Sequence, residues 1–441
     1  MDNKKIRVAI THGDTNGIGY ELIFKTFAES EMLDFCTPII YGSPKVAAYY
    51  RKAMNLPAQF SIIQKAEDAE EGRINLLAAV DEEVKVDMGI PTDESGAAAI
   101  KALDRAMTDF RDNLYDVLIT APVNNQNAQI EGFPFKGHKH YIETCLGEGQ
   151  EALSILVGGD LRIASVTEKT PFKNVIAGIT EERIIERVKL MQQTIKRDFL
   201  ITNPRIAVLA LNPRSNEEES CGKEESEIII PAIDKLAEQG VQAFGPYAAD
   251  EFFGKGYFSD FDGIMAMYHD QATTPFHSLY TEDGVIYTAG LPIIHTAANT
   301  TPCYYMAGYN EADAISFRHA IFLALDAFRH RETSEEAYQN PLPKLYHEKR
   351  DESEKVRFSI PKKHVPSPFP PQGGNKQNGT KGNNEQNAPK GNNGNNNGGN
   401  NAPQPAQQTD KKLTQQPNPA ERQAQPAPQK PAEQPAPQPA E

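Results

Sequence analysis

Between residues 5 and 335 the chain alternates short apolar, β-branched runs with amphipathic stretches of helical period. Strands and helices that alternate in this way bury their faces together as an α/β protein with a largely parallel sheet. Apolar runs at 6–11, 37–41, 60–64, 116–123, 152–157, 162–166, 205–211 and 261–267 read as strands, with shorter extended segments at 241–244, 285–288 and 292–294. Periodic stretches at 20–28, 44–54, 95–110, 181–198, 224–239 and 312–329 read as helices, with a short one ending near Leu146. No internal repeat is visible. About 335 residues of this kind exceed the usual size of one domain, which predicts two lobes with a cleft.

The alternation stops well before the chain does. From about Pro361 onward the composition turns to Asn, Gln, Pro, Gly and Ala, and Phe369 is the only aromatic residue. Such a stretch has too little apolar surface to offset the entropy of ordering, so residues from about 350 to 441 are expected to form a disordered tail. Residues 361–441 hold nine Lys and Arg against five Asp and Glu, a net of +4. The formal charge of −15 therefore leaves −19 on residues 1–360, which argues against nucleic acid as a partner because phosphate binding needs a basic surface. Cys36, Cys145, Cys221 and Cys303 are scattered without CxxC spacing and fit a reducing compartment rather than a zinc site or disulfide framework. The first strand begins almost at the N-terminus with no apolar leader, and no run is long enough for a membrane span. The reading is a soluble cytoplasmic protein with no membrane partner.

Chemistry is expected first at Gly263–Gln271. An apolar run from Ile264 to Met267 reads as a buried strand that ends in Tyr268, His269, Asp270 and Gln271. Ligands collect at the carboxyl ends of strands in open α/β sheets, so four polar residues there form a candidate site; the alternative is an ordinary strand end. Five of the ten histidines, His138, His140, His269, His277 and His295, fall in loops at strand ends, where imidazole can titrate or ligate a metal. His138 and His140 could serve as a metal pair if extended, but not at a helix start. Asp250 and Asp270 are placed to act as base or orienter, or simply to cap a turn. The glycine-bearing loop His12–Gly19, between a strand and a helix, either presents N–H groups to an anion or allows a tight turn; it is not a GxGxxG fingerprint.

These loops together resemble the 4-hydroxythreonine-4-phosphate dehydrogenase (PdxA) family of vitamin B6 biosynthesis. The matching segments are Gly13-Asp-Thr-Asn-Gly-Ile-Gly19, Thr120-Ala-Pro-Val123, Gly137-His138, Leu211-Asn-Pro213, Pro246-Tyr-Ala-Ala-Asp250, Tyr268-His-Asp-Gln271 and Gly290-Leu-Pro292, in the family's order across about residues 5–335. The resemblance implies two α/β/α lobes related to the isocitrate and isopropylmalate dehydrogenases. The first lobe would be discontinuous, 1–125 with about 297–345, and the second would span about 126–296, carrying cleft and dimer interface. It further implies a homodimer, NAD or NADP, a divalent metal, and oxidation of a small phosphorylated hydroxy-amino acid whose product decarboxylates.

The family's ligand positions are altered here. Of its three metal-binding histidines one matches His269, while the others fall on Lys169 and Arg214. Lysine and arginine are cations with no free lone pair at neutral pH and repel a divalent ion. On the substrate side, the family's His-Thr pair is His138-Lys139. His277 and His295 stand for a lysine and an arginine, and Asn125, Ile286 and Asn299-Thr300 replace further family residues. By this resemblance His138, Asp250, Asp270 and Lys169 are the catalytic candidates. His138, Lys139, Arg214, His277 and His295 are the substrate-binding candidates, and His269 marks the metal position. Two expectations follow from the substitutions: Lys169 supplies a positive charge in place of the metal, or the site has decayed and the fold serves as a binding or scaffold module.

Overall fold

The computed structural model describes residues 5–56, 58–80, 84–129, 136–149, 151–213 and 222–339. Arg214, Cys221 and the C-terminal tail lie outside the described residues. Among the described residues twelve strands form one mixed sheet: β1 (Ile6–Thr11), β2 (Cys36–Gly42), β3 (Phe60–Ile63), β4 (Ile74–Ala78), β5 (Val117–Thr120), β6 (Leu153–Gly158), β7 (Leu161–Ser165), β8 (Ile206–Leu209), β9 (Ala243–Tyr247), β10 (Gly263–Ala266), β11 (Val285–Ala289) and β12 (Ile294–Ala298). Their order is β3-β4-β2-β1-β5-β12-β11-β6-β7-β10-β8-β9. Only three pairings, β12 with β11, β11 with β6 and β6 with β7, are antiparallel, so the sheet is largely parallel as the sequence pattern predicts. Residues 6–120 with β12 build one half of the sheet, and residues 153–289 build the other.

The helices follow from their caps and apolar spacing. Thr180 accepts a hydrogen bond from the Arg183 N–H and opens the helix Glu181–Asp198, which buries Ile184, Val188, Met191 and Ile195 on one face. Thr92 and Ser95 form a reciprocal capping box for the helix Asp93–Arg111. Three strand and helix expectations are corrected. The strand β4 was not anticipated, because Ile74–Ala78 is a short apolar run without turn signals on both sides. The expected extension at 292–294 begins at Ile294 instead, after the turn at Gly290, whose φ is +87°. The expected helix 224–239 is a π turn, Glu225–Ile229, followed by an α-helix, Ile230–Glu238. Pro231 has no N–H to give the preceding turn, which accounts for the break in the ladder.

The strands β7, β10 and β8 are adjacent and parallel, so their carboxyl ends share one edge of the sheet. The loops after them carry Thr167–Pro171, Met267–Gln271 and Ala210–Pro213. Cys36, Cys145 and Cys303 are free thiols. Among the described residues no helix is long and apolar enough to cross a membrane.

Candidate active site

The parallel ladder continues past the ends of β7 and β10. Val166 donates its N–H to the Ala266 carbonyl at 2.9 Å, and Thr167 donates its N–H to the Met267 carbonyl at 3.2 Å. The Thr167 hydroxyl donates to the same carbonyl at 2.9 Å. Gln271 then ties the third strand in: its Oε1 accepts from the Met267 N–H at 2.8 Å and its Nε2 donates to the Ala210 carbonyl at 2.7 Å. Gln271 is therefore a structural staple, not a reacting group. The segments that follow β7 and β10 line a cleft of about 580 Å³ whose walls include Lys169, Phe172, Tyr268, His269 and Asp270. Phe172 meets Tyr268 edge to face, with ring centroids 5.9 Å apart.

His269 opens the helix His269–Leu279, which the sequence reading did not anticipate because Pro275 interrupts its pattern. His269 Nδ1 and Asp270 Oδ1 lie 2.9 Å apart, an imidazole oriented by a carboxylate at the cleft wall. His138 begins the helix His138–Leu146 behind a Gly137 with φ +117°. His138 is half-buried, and burial together with the nearby Lys169 ammonium pushes its pKa down to about 4. It is held as a neutral ring near Lys169. Because His138 and His140 sit at a helix start, they do not point as a pair, and the metal-pair expectation for them is withdrawn.

The substrate-binding candidates divide. His295 is only 2% exposed; its Nε2 lies 3.0 Å from the Thr120 hydroxyl and its Nδ1 2.8 Å from the Thr288 hydroxyl. Burial and then the neighbouring His138 lower its pKa to about 3. It supports the His138 ring from behind, with centroids 6.2 Å apart, and does not present a charge. Lys139 donates to Glu168 at 2.6 Å and to the Ala152 carbonyl at 3.1 Å. His277 lies 2.7 Å from the Asn299 amide, on the exposed last turn of its helix. Among the catalytic candidates, Asp250 is exposed in the first turn of a short helix, Ala249–Gly254, and is not among the residues lining this cleft.

The Gly13–Gly19 loop is a packing device. Its N–H groups go inward: Asp14 to the Pro122 carbonyl at 2.9 Å, Gly17 to Asp14 at 3.1 Å, and Ile18 to Pro302 at 3.1 Å. A Cβ on Gly19 would come within 2.1 Å of the His12 carbonyl oxygen. The loop does not fit a dinucleotide pyrophosphate, which needs those N–H groups free. The metal position that the resemblance implies fails a similar test. Lys169 offers an ammonium where a ligand is required, and among the described residues no three His, Cys, Asp or Glu side chains converge. The described residues do not fit a tightly held divalent ion.

Comparison with known proteins agrees with this framework. The family model "Pyridoxal phosphate biosynthetic protein PdxA" matches residues 34–324. A 4-hydroxythreonine-4-phosphate dehydrogenase of Bacteroides thetaiotaomicron is 49% identical over 358 residues, covering 81% of this chain and 98% of the relative. One from Sulfurihydrogenibium sp. is 33% identical, covering 73% of this chain and 98% of the relative. The crystal structure of the Klebsiella pneumoniae 4-hydroxythreonine-4-phosphate dehydrogenase superposes with a TM-score of 0.65 at 26% identity, covering 74% of this chain and 99% of that one. With the sheet, the site loops and these matches in agreement, the chain belongs to the PdxA family.

Proposed function

We propose that the protein oxidises 4-hydroxythreonine 4-phosphate, a small phosphorylated hydroxy-amino acid, with NAD or NADP as hydride acceptor. The product then loses carbon dioxide to give an aminoketone phosphate for pyridoxal phosphate synthesis. Family membership supports the reaction. The observation that carries the particular chemistry is that Lys169 and His269 line one cleft. In this reading the substrate hydroxyl lies between them. His269, with Nδ1 toward Asp270, takes the hydroxyl proton at Nε2. A bound dinucleotide would supply the hydride acceptor for the carbon that carries this hydroxyl. The Lys169 ammonium faces the oxygen as charge develops there. When the carbon–carbon bond breaks, the electron pair settles as an enolate on that oxygen, again opposite Lys169, before carbon is protonated. His138 remains a neutral hydrogen-bonding partner. Arg214 follows the Leu211-Asn-Pro213 turn, and we assign it to the substrate's phosphate or carboxylate.

The assembly in this reading is a cytoplasmic homodimer of two-lobed chains, the lobes being 1–125 with about 297–345 and about 126–296. The division of the sheet into two sequence blocks favours that split. One observation favours a second reading, a binding module without turnover: Lys139 and His295, two of the substrate positions, are both engaged inside the protein. Purified full-length protein mixed with 4-hydroxythreonine 4-phosphate and NAD or NADP separates the two. Steady formation of reduced cofactor is expected; none from a correctly folded protein would leave the binding module.

A further inference from the structure

The cleft cation sits directly after a residue held in an uncommon conformation. Glu168 has φ +45°, in the left-handed region that non-glycine residues enter only at a cost of order 1 kcal/mol. Such a conformation persists where surrounding bonds over-determine it. Here the Glu168 carboxylate accepts from Lys139 Nζ at 2.6 Å through one oxygen and from the Ser154 N–H at 3.3 Å through the other. Lys139 also donates to the Ala152 carbonyl at 3.1 Å, and the Arg187 guanidinium donates to that same carbonyl at 2.8 Å. The side chains of Lys139 and Glu168 are 25% and 19% exposed, so water screens their attraction only in part. Lys169, by contrast, is exposed at the cleft wall and makes no ion pair among the described residues. Its reach is set by where its backbone starts. Of the two anchors on Glu168, Ser154 belongs to β6, which pairs with β7, and Lys139 starts on the helix His138–Leu146 and is tied to β6 through the Ala152 carbonyl.

We propose that the Lys139–Glu168 pair is a positioning clamp: it holds the left-handed turn at Glu168 and thereby aims the Lys169 side chain into the cleft. By the family resemblance, Lys139 stands in place of a threonine and Lys169 in place of a metal-binding histidine. The two lysines thus form one device, one cation held in the wall so that the other is presented to substrate. This inference rests on the reading of Lys169 as the cleft's working cation.

The test uses three variants of the full-length protein. Glu168→Asn tolerates the left-handed turn but cannot reach Lys139. Lys139→Met keeps the aliphatic stem without the ammonium, and Lys139→Arg keeps the charge. The clamp predicts that Glu168→Asn and Lys139→Met lower kcat roughly 10- to 100-fold with KM changed less than about twofold, and that Lys139→Arg retains most activity. A purely structural pair would lower unfolding midpoints and leave kcat of the folded fraction unchanged, which overturns the proposal. His138 gives a readout independent of turnover. The Lys169 ammonium is the charge that lowers the His138 pKa, so its release raises that pKa. A rise in Glu168→Asn, followed by NMR of the ring protons, supports the clamp; a fall overturns it. If Lys169→Ala abolishes turnover while both clamp variants remain at wild-type kcat, the clamp alone fails. If Lys169→Ala is itself active, the functional reading fails, and the His138 titration still decides whether the clamp holds Lys169 in place.

Discussion

Thr167 gives both its backbone N–H and its hydroxyl to the main-chain carbonyl of Met267, at 3.2 and 2.9 Å. That double bond of one residue to one carbonyl locks the loop carrying Lys169 to the loop carrying His269. The two side chains come from strands a hundred residues apart in sequence, and their spacing in the cleft depends on this join.

Thr167→Val removes the hydroxyl bond and keeps the shape. Thr167 is 3% exposed, so the lost bond costs about 1 kcal/mol of stability and leaves an acceptor that still receives one N–H. Urea titration should show that loss together with a kcat decrease. A stability loss with unchanged kcat would mean the join does not govern the site.

Acid should destabilise the protein through its buried histidines. His12 is fully buried beside Tyr20, with ring centroids 5.2 Å apart, and burial lowers its pKa to about 4; His295 falls to about 3 for the same first reason. A histidine whose folded pKa lies below the unfolded 6.5 leaves the unfolded state with more bound protons in between. Its contribution is complete above about pH 6.5 and is lost as pH falls from there toward about 4. The urea midpoint should drop across that window, and His12→Phe, which keeps a ring on Tyr20, should flatten the dependence. An equally steep curve in His12→Phe would contradict the assignment.

Gly19 and Gly72 should respond very differently to alanine. A Cβ at Gly19 would sit 2.1 Å from the His12 carbonyl oxygen, whereas one at Gly72 meets nothing within 4 Å and is opposed only by a φ of +72°. Gly19→Ala should cost about 3 kcal/mol or more, and Gly72→Ala about 1 kcal/mol, in thermal or urea unfolding. Similar losses at the two positions would show that the Gly19 contact relaxes freely.

The α/β class was legible because β-branched runs such as Ile6–Thr11 and the period of Glu181–Asp198 state their structure locally. The helix His269–Leu279 was not, since Pro275 and seven polar side chains hide its period and its stability comes from packing against the sheet. At the site, Tyr268 to Gln271 were readable as a cluster, whereas Lys169 was placed only by the family resemblance; the cleft brings Lys169 beside His269 and Asp270. The sequence could not say that His295 and Lys139 would turn away from solvent, because their partners Thr120, Thr288 and Glu168 are distant in the chain. Nor does any local signal mark Glu168 as left-handed; glycine or asparagine would have. The glycine loop was legible only as two alternatives, and hydrogen bonds to Pro122 and Pro302 favour the tight turn.

The most direct test of a reaction run on a fixed lysine is its response to metal removal. The protein is stripped with a chelator and assayed with 4-hydroxythreonine 4-phosphate and NAD or NADP, alongside Lys169→Ala. Turnover indifferent to chelator and to added divalent ion, and lost in Lys169→Ala, is the predicted result. Turnover abolished by chelator and restored by a divalent ion would contradict it.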